Sequence, residues 1–224
     1  MEELTENVTM EELKLELQNR IAIYGLISRL MLIEVDDAFL DTLEKDKALL
    51  DLFPNYKAWD KRKTLSRQEL IEEHLNADFT SLFLMHLVPY ESFYTRDDQM
   101  IESGGENVVL DLYNELDFKV QLEKARVVSP DHIGVELEFM YMLSVAALKA
   151  FSADDKDSLC ELFQVQRAFL KEHLLDWGPM FLINAKRESR TALYHDGAEL
   201  TLEFILSDFE YISEKVTNYC GNAL

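Results

Sequence analysis

Glycine and proline are scarce, seven and four among 224 residues. These residues break regular structure, and strand-rich folds need them at their turns. Leu, Glu, Ala, Lys and Met are plentiful instead, in long stretches of 3.6-residue apolar periodicity, which predicts an all-α protein. Long hydrophobic runs are missing too. The longest uncharged run, Phe79 to Tyr90, has 12 residues, too few to cross a bilayer. Met1-Glu2-Glu3 is acidic where an export signal carries a basic segment, so we expect a cytoplasmic chain with no stable membrane insertion. The two cysteines, Cys160 and Cys220, lie far apart and match no metal spacing; reduced thiols are expected.

Basic charge is the other shortage. Only 22 Lys and Arg stand against 43 Asp and Glu, a net charge of −21 with a pI near 4.5. Such a field repels nucleic acid and anionic lipid. It serves solubility alone, or it speeds encounter with a basic partner.

The length and the 48% apolar content suit one good core, and we expect a single all-helical domain over 1–224, with 1–8 disordered. Thr9-Met10-Glu11-Glu12 reads as a capping box before a helix carrying Leu13, Leu17, Ile21, Tyr24, Ile27, Leu30 and Met31, with Arg20 and Arg29 at the edge of that face. A second helix covers 38–52 and stops before Pro54. Lys57, Lys61, Arg62 and Lys63 then form a basic patch around Trp59, read as a solvated connector. Ser66-Arg67-Gln68-Glu69 is a second capping box, and its helix ends before Pro89. Pro89-Tyr90-Glu91-Ser92-Phe93-Tyr94 is an aromatic irregular segment, either a core plug or the wall of a groove. After a turn at Ser103-Gly104-Gly105, helices are predicted over 106–118, from Pro130 onward, over 154–177, over 180–185 and over 189–218, with Gly178-Pro179 as a break.

The stretch Ser129 to Phe139 is the most unusual. Ser129 suits a cap, Pro130 the first helical position and Asp131 the positive end of the helix dipole. Capping does not account for His132, Glu136 and Glu138 in the same two turns of a helix whose other face is apolar. No catalytic motif explains them either. HExxH, Gly-x-Ser-x-Gly and phosphate-loop patterns are all absent, so no enzyme and no cofactor is expected. A metal-dependent hydrolase built from His132, Asp131 and His173 is the alternative from a different class.

The two odd segments taken together resemble the TorD/DmsD family of redox-enzyme maturation chaperones. Leu82-Phe83, Pro89-Tyr90-Glu91-Ser92-Phe93-Tyr94 and Pro130-Asp131-His132-Ile133-Gly134-Val135-Glu136 carry the likeness, and Phe169…His173…Trp177 is similar to a late family helix. The resemblance implies an all-helical chaperone of about ten helices in a single domain, monomer or homodimer. It implies binding to the twin-arginine signal peptide and the apo form of a molybdoenzyme catalytic subunit, aiding cofactor insertion and preventing premature export. Carried over, the client-binding residues are Leu82, Phe83, Pro89, Tyr90, Glu91, Ser92, Asp131, His132 and Glu136. The carboxyls suit arginine and the aromatics suit the apolar stretch of a leader. On this reading Asp131→Ala weakens peptide binding and leaves the fold largely intact. The alternative within the family is a NarJ-like assembly factor for a reductase that is not exported.

Overall fold

In the computed structural model, which describes residues 2–102, 107–120, 122 and 126–220, the longest helices are α1 (Glu2–Leu32), α10 (156–188) and α11 (Ala192–Tyr219). The others are α2 (Asp37–Lys45), α3 (Lys47–Asp51), α4 (Pro54–Ala58), α5 (Asp60–Thr64), α6 (67–85), α7 (Glu91–Thr95), α8 (Leu110–Glu115) and α9 (Ile133–Ser152). These make eleven helices among the described residues, with no strand, as the composition requires. The one extended pairing among them is an isolated antiparallel bridge between Tyr90 and His132.

Helix α9 is the axis of the fold. Its apolar positions are buried nearly all round, from Ile133, Val135, Leu137 and Phe139 to Met140, Leu143 and Ala147. One narrow stripe, Glu138, Tyr141, Val145 and Lys149, is exposed, and the rest of the helix lies against its neighbours. It packs along α1, whose Tyr24, Ile27, Leu30 and Met31 are buried at the predicted spacing. The crossing is tight at Gly134, where an added Cβ would stand 2.8 Å from Leu32 Cβ and 2.9 Å from Leu32 Cα. Helices α10 and α11 pack against each other on the far side. A smaller apolar cluster, with Leu13, Leu17, Phe163, Ile212 and Val216, closes the other end of the bundle.

Several boundaries differ from the sequence reading. Helix α1 begins at Glu2, ahead of the capping box at Thr9 that was expected to open it. Arg20 is buried, not at an edge: its guanidinium donates to both Asp208 oxygens, at 2.6 and 2.9 Å, and to Gln166. The helix expected over 38–52 is divided because Asp46 caps a new start, accepting from Ala48 N and Leu49 N at 2.8 and 3.2 Å. Ser66 does cap α6, accepting from Glu69 N. The turn at 103–105 and the start expected at Glu106 lie outside the described residues, and α8 covers only Leu110–Glu115.

Gly178-Pro179 does not end a helix. α10 continues through Pro179 to Glu188, after a π turn at Leu170–Leu174. Trp177, Phe181, Leu182 and Ala185 are buried on the continuing face, and their burial outweighs one lost backbone bond. The basic patch is partly tied down: Arg62 binds Glu44 at 2.8 Å and lies over the ring of buried Tyr56. The cysteines, expected as free thiols, are joined in a disulfide. α10 and α11 run side by side there and bring Cα atoms 60 residues apart to 5.3 Å.

Gly134→Ala forces Leu32 backbone to move and is expected to lower stability by about 1–3 kcal/mol. Gly178→Ala meets only Ile133 and Ile205 side-chain tips at 3.7 Å. It is expected to be neutral or to stabilise by about 0.5–1 kcal/mol through helix propensity. Urea unfolding of both variants checks the contrast.

Candidate functional site

The Tyr90–His132 bridge fastens the segment before α7 to the turn before α9. Glu91 N donates to Asp131 O at 3.0 Å, and Ile133 N donates to Pro89 O at 2.9 Å. Asp131 was expected at the N-terminus of its own helix; it caps a different one. Its Oδ2 accepts from Ser92 N in the first turn of α7 at 2.7 Å, while the Ser129 hydroxyl donates to Oδ1. The cap of α9 is His132, whose Nδ1 accepts from Gly134 N at 3.0 Å. An acceptor Nδ1 requires an uncharged ring protonated on Nε2. Burial against Tyr90 and Phe83 agrees, holding the imidazole down at about 3.

One layer deeper lie two more acids. Glu91 binds His173 Nδ1 of α10 at 3.0 Å. Glu136, one turn into α9, accepts from Trp177 Nε1 at 3.2 Å through Oε2. Burial is the main cause that raises Glu136 far above the usual carboxylate range, and the neighbouring Glu91 and Asp131 add to it. The protonated form of Glu136 is therefore the favoured one. Among the described residues no hydrogen-bond partner reaches its Oε1. Tyr113 of α8 is buried beside these acids, and its hydroxyl also has no hydrogen-bond partner among those residues. Burial pushes that phenol upward, with Glu136 and Glu91 adding to the effect.

With this geometry in hand, comparison with known proteins is decisive. The profile of the family described as nitrate reductase delta subunit matches residues 42–182. The chain belongs to this TorD-like family. Chaperone protein TorD of Vibrio cholerae serotype O1 (strain ATCC 39541) is 26% identical over 223 residues, 92% of this chain and 98% of that one. Chaperone protein TorD of Photobacterium profundum is 29% identical over 156 residues, 66% and 68% of the two chains. That of Aeromonas salmonicida is 32% identical over 141 residues, 62% and 61%. No solved structure matches. The relatives of this TorD-like chain are named chaperones and not enzymes, in line with the non-catalytic reading.

All nine residues singled out in the sequence lie in the region of the Tyr90–His132 bridge, on α6, α7, α9 and the segments between them. They are also buried. Leu82, Phe83, Pro89, Tyr90, Glu91, Ser92, Asp131, His132 and Glu136 all belong to the interior, and Asp131 is 0% exposed. They form a polar lock under the surface. Exposed apolar residues nearby include Leu84 and Met85 at the end of α6, Met180 and Ile183 on α10, and Val128, whose N–H donates to the Tyr90 hydroxyl. The Phe83–Phe181 ring contact, 5.9 Å between centroids, joins those two helices. Sequence reasoning missed this rim, because exposed and buried apolar residues look alike in a periodic stretch. It also missed Tyr113, which no motif marks. The hydrolase arrangement is not formed: Asp131, His132 and His173 are each committed to separate partners. Among the described residues the group close enough to share an ion is His195, Asp196 and Glu199. Asp196 there already accepts from Asn55 and Tyr56 N, and Glu199 binds Lys186.

Two predictions come from the lock. Asp131→Ala leaves the buried Ser92 N without its acceptor, while the Ser129 hydroxyl keeps Glu102 O, so the change is expected to cost about 1–3 kcal/mol of stability rather than spare the fold. The second concerns pH. Neutral His132 stabilises above the ordinary imidazole value near 6.5, and that contribution is lost as pH falls toward 3. Neutral Glu136 does the reverse: its proton favours the fold below about 4.5, and the contribution is lost as pH rises toward its raised folded value. Between about 4.5 and 6.5 the two slopes oppose, each up to about 1.4 kcal/mol per pH unit. His132→Asn is expected to flatten the acid side of the stability curve and Glu136→Gln the alkaline side, read by chemical denaturation from about pH 4 to about pH 9.

Proposed function

We propose that this protein is a cytoplasmic, client-specific chaperone for a molybdoenzyme subunit, acting as a single helical domain on the subunit's twin-arginine leader before export. The observation that carries this reading is the likeness to TorD chaperones over 92% of the chain. The geometry supports it. A twin-arginine leader joins two guanidinium groups to an apolar stretch, and its receptor needs carboxyls beside exposed apolar surface. Glu91, Asp131 and Glu136 supply the first; Leu84, Met85, Met180 and Ile183, exposed to as much as 71% at Met85, supply the second. Leu82, Phe83, Pro89, Tyr90, Ser92 and His132 form the floor that holds both in register. The net charge of −21 steers a basic peptide toward the chain.

The description of the matching family, nitrate reductase delta subunit, favours a second reading. In it the chain is an assembly factor for a reductase that is not exported, and the same surface takes a segment of the mature subunit.

Calorimetric titration with the leader of the reductase encoded beside this gene separates the two. Saturable binding in the micromolar range, about −8 kcal/mol, is expected. It should weaken at least tenfold when both leader arginines become alanine, and also in Met85→Glu or Met180→Glu protein. Absence of heat with that leader, together with binding to the leaderless apo subunit, supports the assembly-factor reading instead.

A further inference from the structure

We propose that the Glu91–Glu136 carboxyl pair is a receptor for one arginine side chain of the client, and that His173 is the placeholder its guanidinium displaces. This rests on the chaperone reading above and adds the site's mechanism of release.

The protein contains its own example of a buried guanidinium site. Arg20 is held by both oxygens of Asp208 and by Gln166, and the Tyr24 hydroxyl donates to the same aspartate at 2.6 Å. Carboxyl, amide and phenol surround a planar cation from several sides. The Glu91–Glu136 cluster repeats the charged and phenolic parts of that set: two carboxyls, with the Tyr113 phenol and Asp131 close by. What differs is the cation. Among the described residues no Lys or Arg side chain bonds Glu91, Glu136 or Asp131.

Two buried polar atoms there are unpartnered, the Tyr113 hydroxyl and Glu136 Oε1. Unsatisfied atoms of this kind are uncommon in a native interior, and these two lie together beside Glu91 and Asp131. A guanidinium has five N–H donors in a planar fork. The Glu91 carboxyl, Glu136 Oε1 and the Tyr113 phenol oxygen are the acceptors offered to it in this cluster.

Access runs past His173. The imidazole keeps 17% of its side chain exposed, occupies the Glu91 carboxyl from the solvent side, and stacks on Phe169 at 4.9 Å. Tyr94, stacked on Trp177 at 5.3 Å, lines the same wall.

Charge balance dictates what happens next. The groups that act on Glu136 are Glu91 from α7, Asp131 from the turn before α9, Tyr113 from α8 and Trp177 from α10, with His173 of α10 on the Glu91 carboxyl; Glu138 follows half a turn along α9. Without an arginine, a proton on Glu136 relieves the crowding of acids. An incoming guanidinium, which never deprotonates in proteins, replaces that proton as the positive charge. Glu136 ionises and one proton leaves to solvent. Binding therefore tightens with rising pH and loosens on acidification, with up to about a tenfold change per pH unit.

The test is titration of the full chain with the leader peptide at neutral pH, in phosphate and in Tris, whose ionisation enthalpies differ. Comparing wild type with Glu136→Gln isolates the Glu136 proton: wild type is expected to release about one proton more per bound peptide than Glu136→Gln does. Gln is shaped like the neutral acid, so Glu136→Gln should fold. Glu91→Gln should weaken the peptide at least tenfold; should it fail to fold, the proton count alone decides. Binding with equal proton counts in wild type and Glu136→Gln overturns this inference and leaves the chaperone reading standing. No binding of the leader overturns both.

Discussion

Buried aspartates that cap helices remote in sequence hold this fold together. Asp131 accepts from Ser92 N across 39 residues, Asp78 from Arg190 N and Thr191 N across 112 and 113, and Asp196 from Tyr56 N across 140. Each carboxyl sits at the beginning of a helix on another part of the chain: α7, α11 and α4. Helix N-termini present unsatisfied N–H groups and a partial positive charge, so a buried carboxyl there is satisfied without a basic side chain. That solution suits a protein with so few cations. The fourth buried aspartate, Asp208, is the exception that pairs with a buried arginine.

The same shortage of cations shapes the candidate site. Asp131 is satisfied by a helix terminus and a serine. Glu91 has an imidazole, and Glu136 solves the problem by keeping its proton. Three acids thus sit within one buried region by three different means. Such an arrangement contributes little to stability compared with apolar packing, since buried ionisable groups seldom repay their desolvation. Its retention next to exposed Met85 and Met180 makes more sense as recognition than as architecture. Methionine adapts its shape to variable apolar partners, which suits a surface meeting an extended or helical leader.

Much of the architecture was legible. Sparse Gly and Pro set the class, the helical spacing of Leu13, Leu17, Tyr24 and Ile27 marked the buried face of α1, and the Ser66 capping box marked the start of α6. The Asp131-His132 pair and the Tyr90-Glu91-Ser92 segment, 39 residues apart from Ser92 to Asp131, stand out in the sequence and meet in the fold. Errors arose where a local signal had a nonlocal answer. Thr9 looked like a cap but lies inside α1. Pro179 looked like a terminator, yet packing of Trp177 and Phe181 carries α10 through it. Asp131 looked like a first-turn residue of its own helix behind a Ser129 cap, because sequence shows only the neighbours along the chain; it caps α7 instead, and His132 caps α9. Cys160 and Cys220 looked independent because nothing in their spacing reveals that α10 and α11 lie side by side.

By itself the sequence determined the helical class, the net negative field, the identity of the buried stripes and the two unusual segments that stand out from them. These depend on composition and on periodicities of a few residues, which are properties of the chain read locally. The tertiary structure alone decided which carboxyl caps which helix, that Glu136 stays neutral while His132 stays uncharged, and that the nine candidate residues lie beneath the surface rather than on it. Those outcomes depend on desolvation and on distances between groups tens of residues apart. Neither quantity exists until the chain has packed.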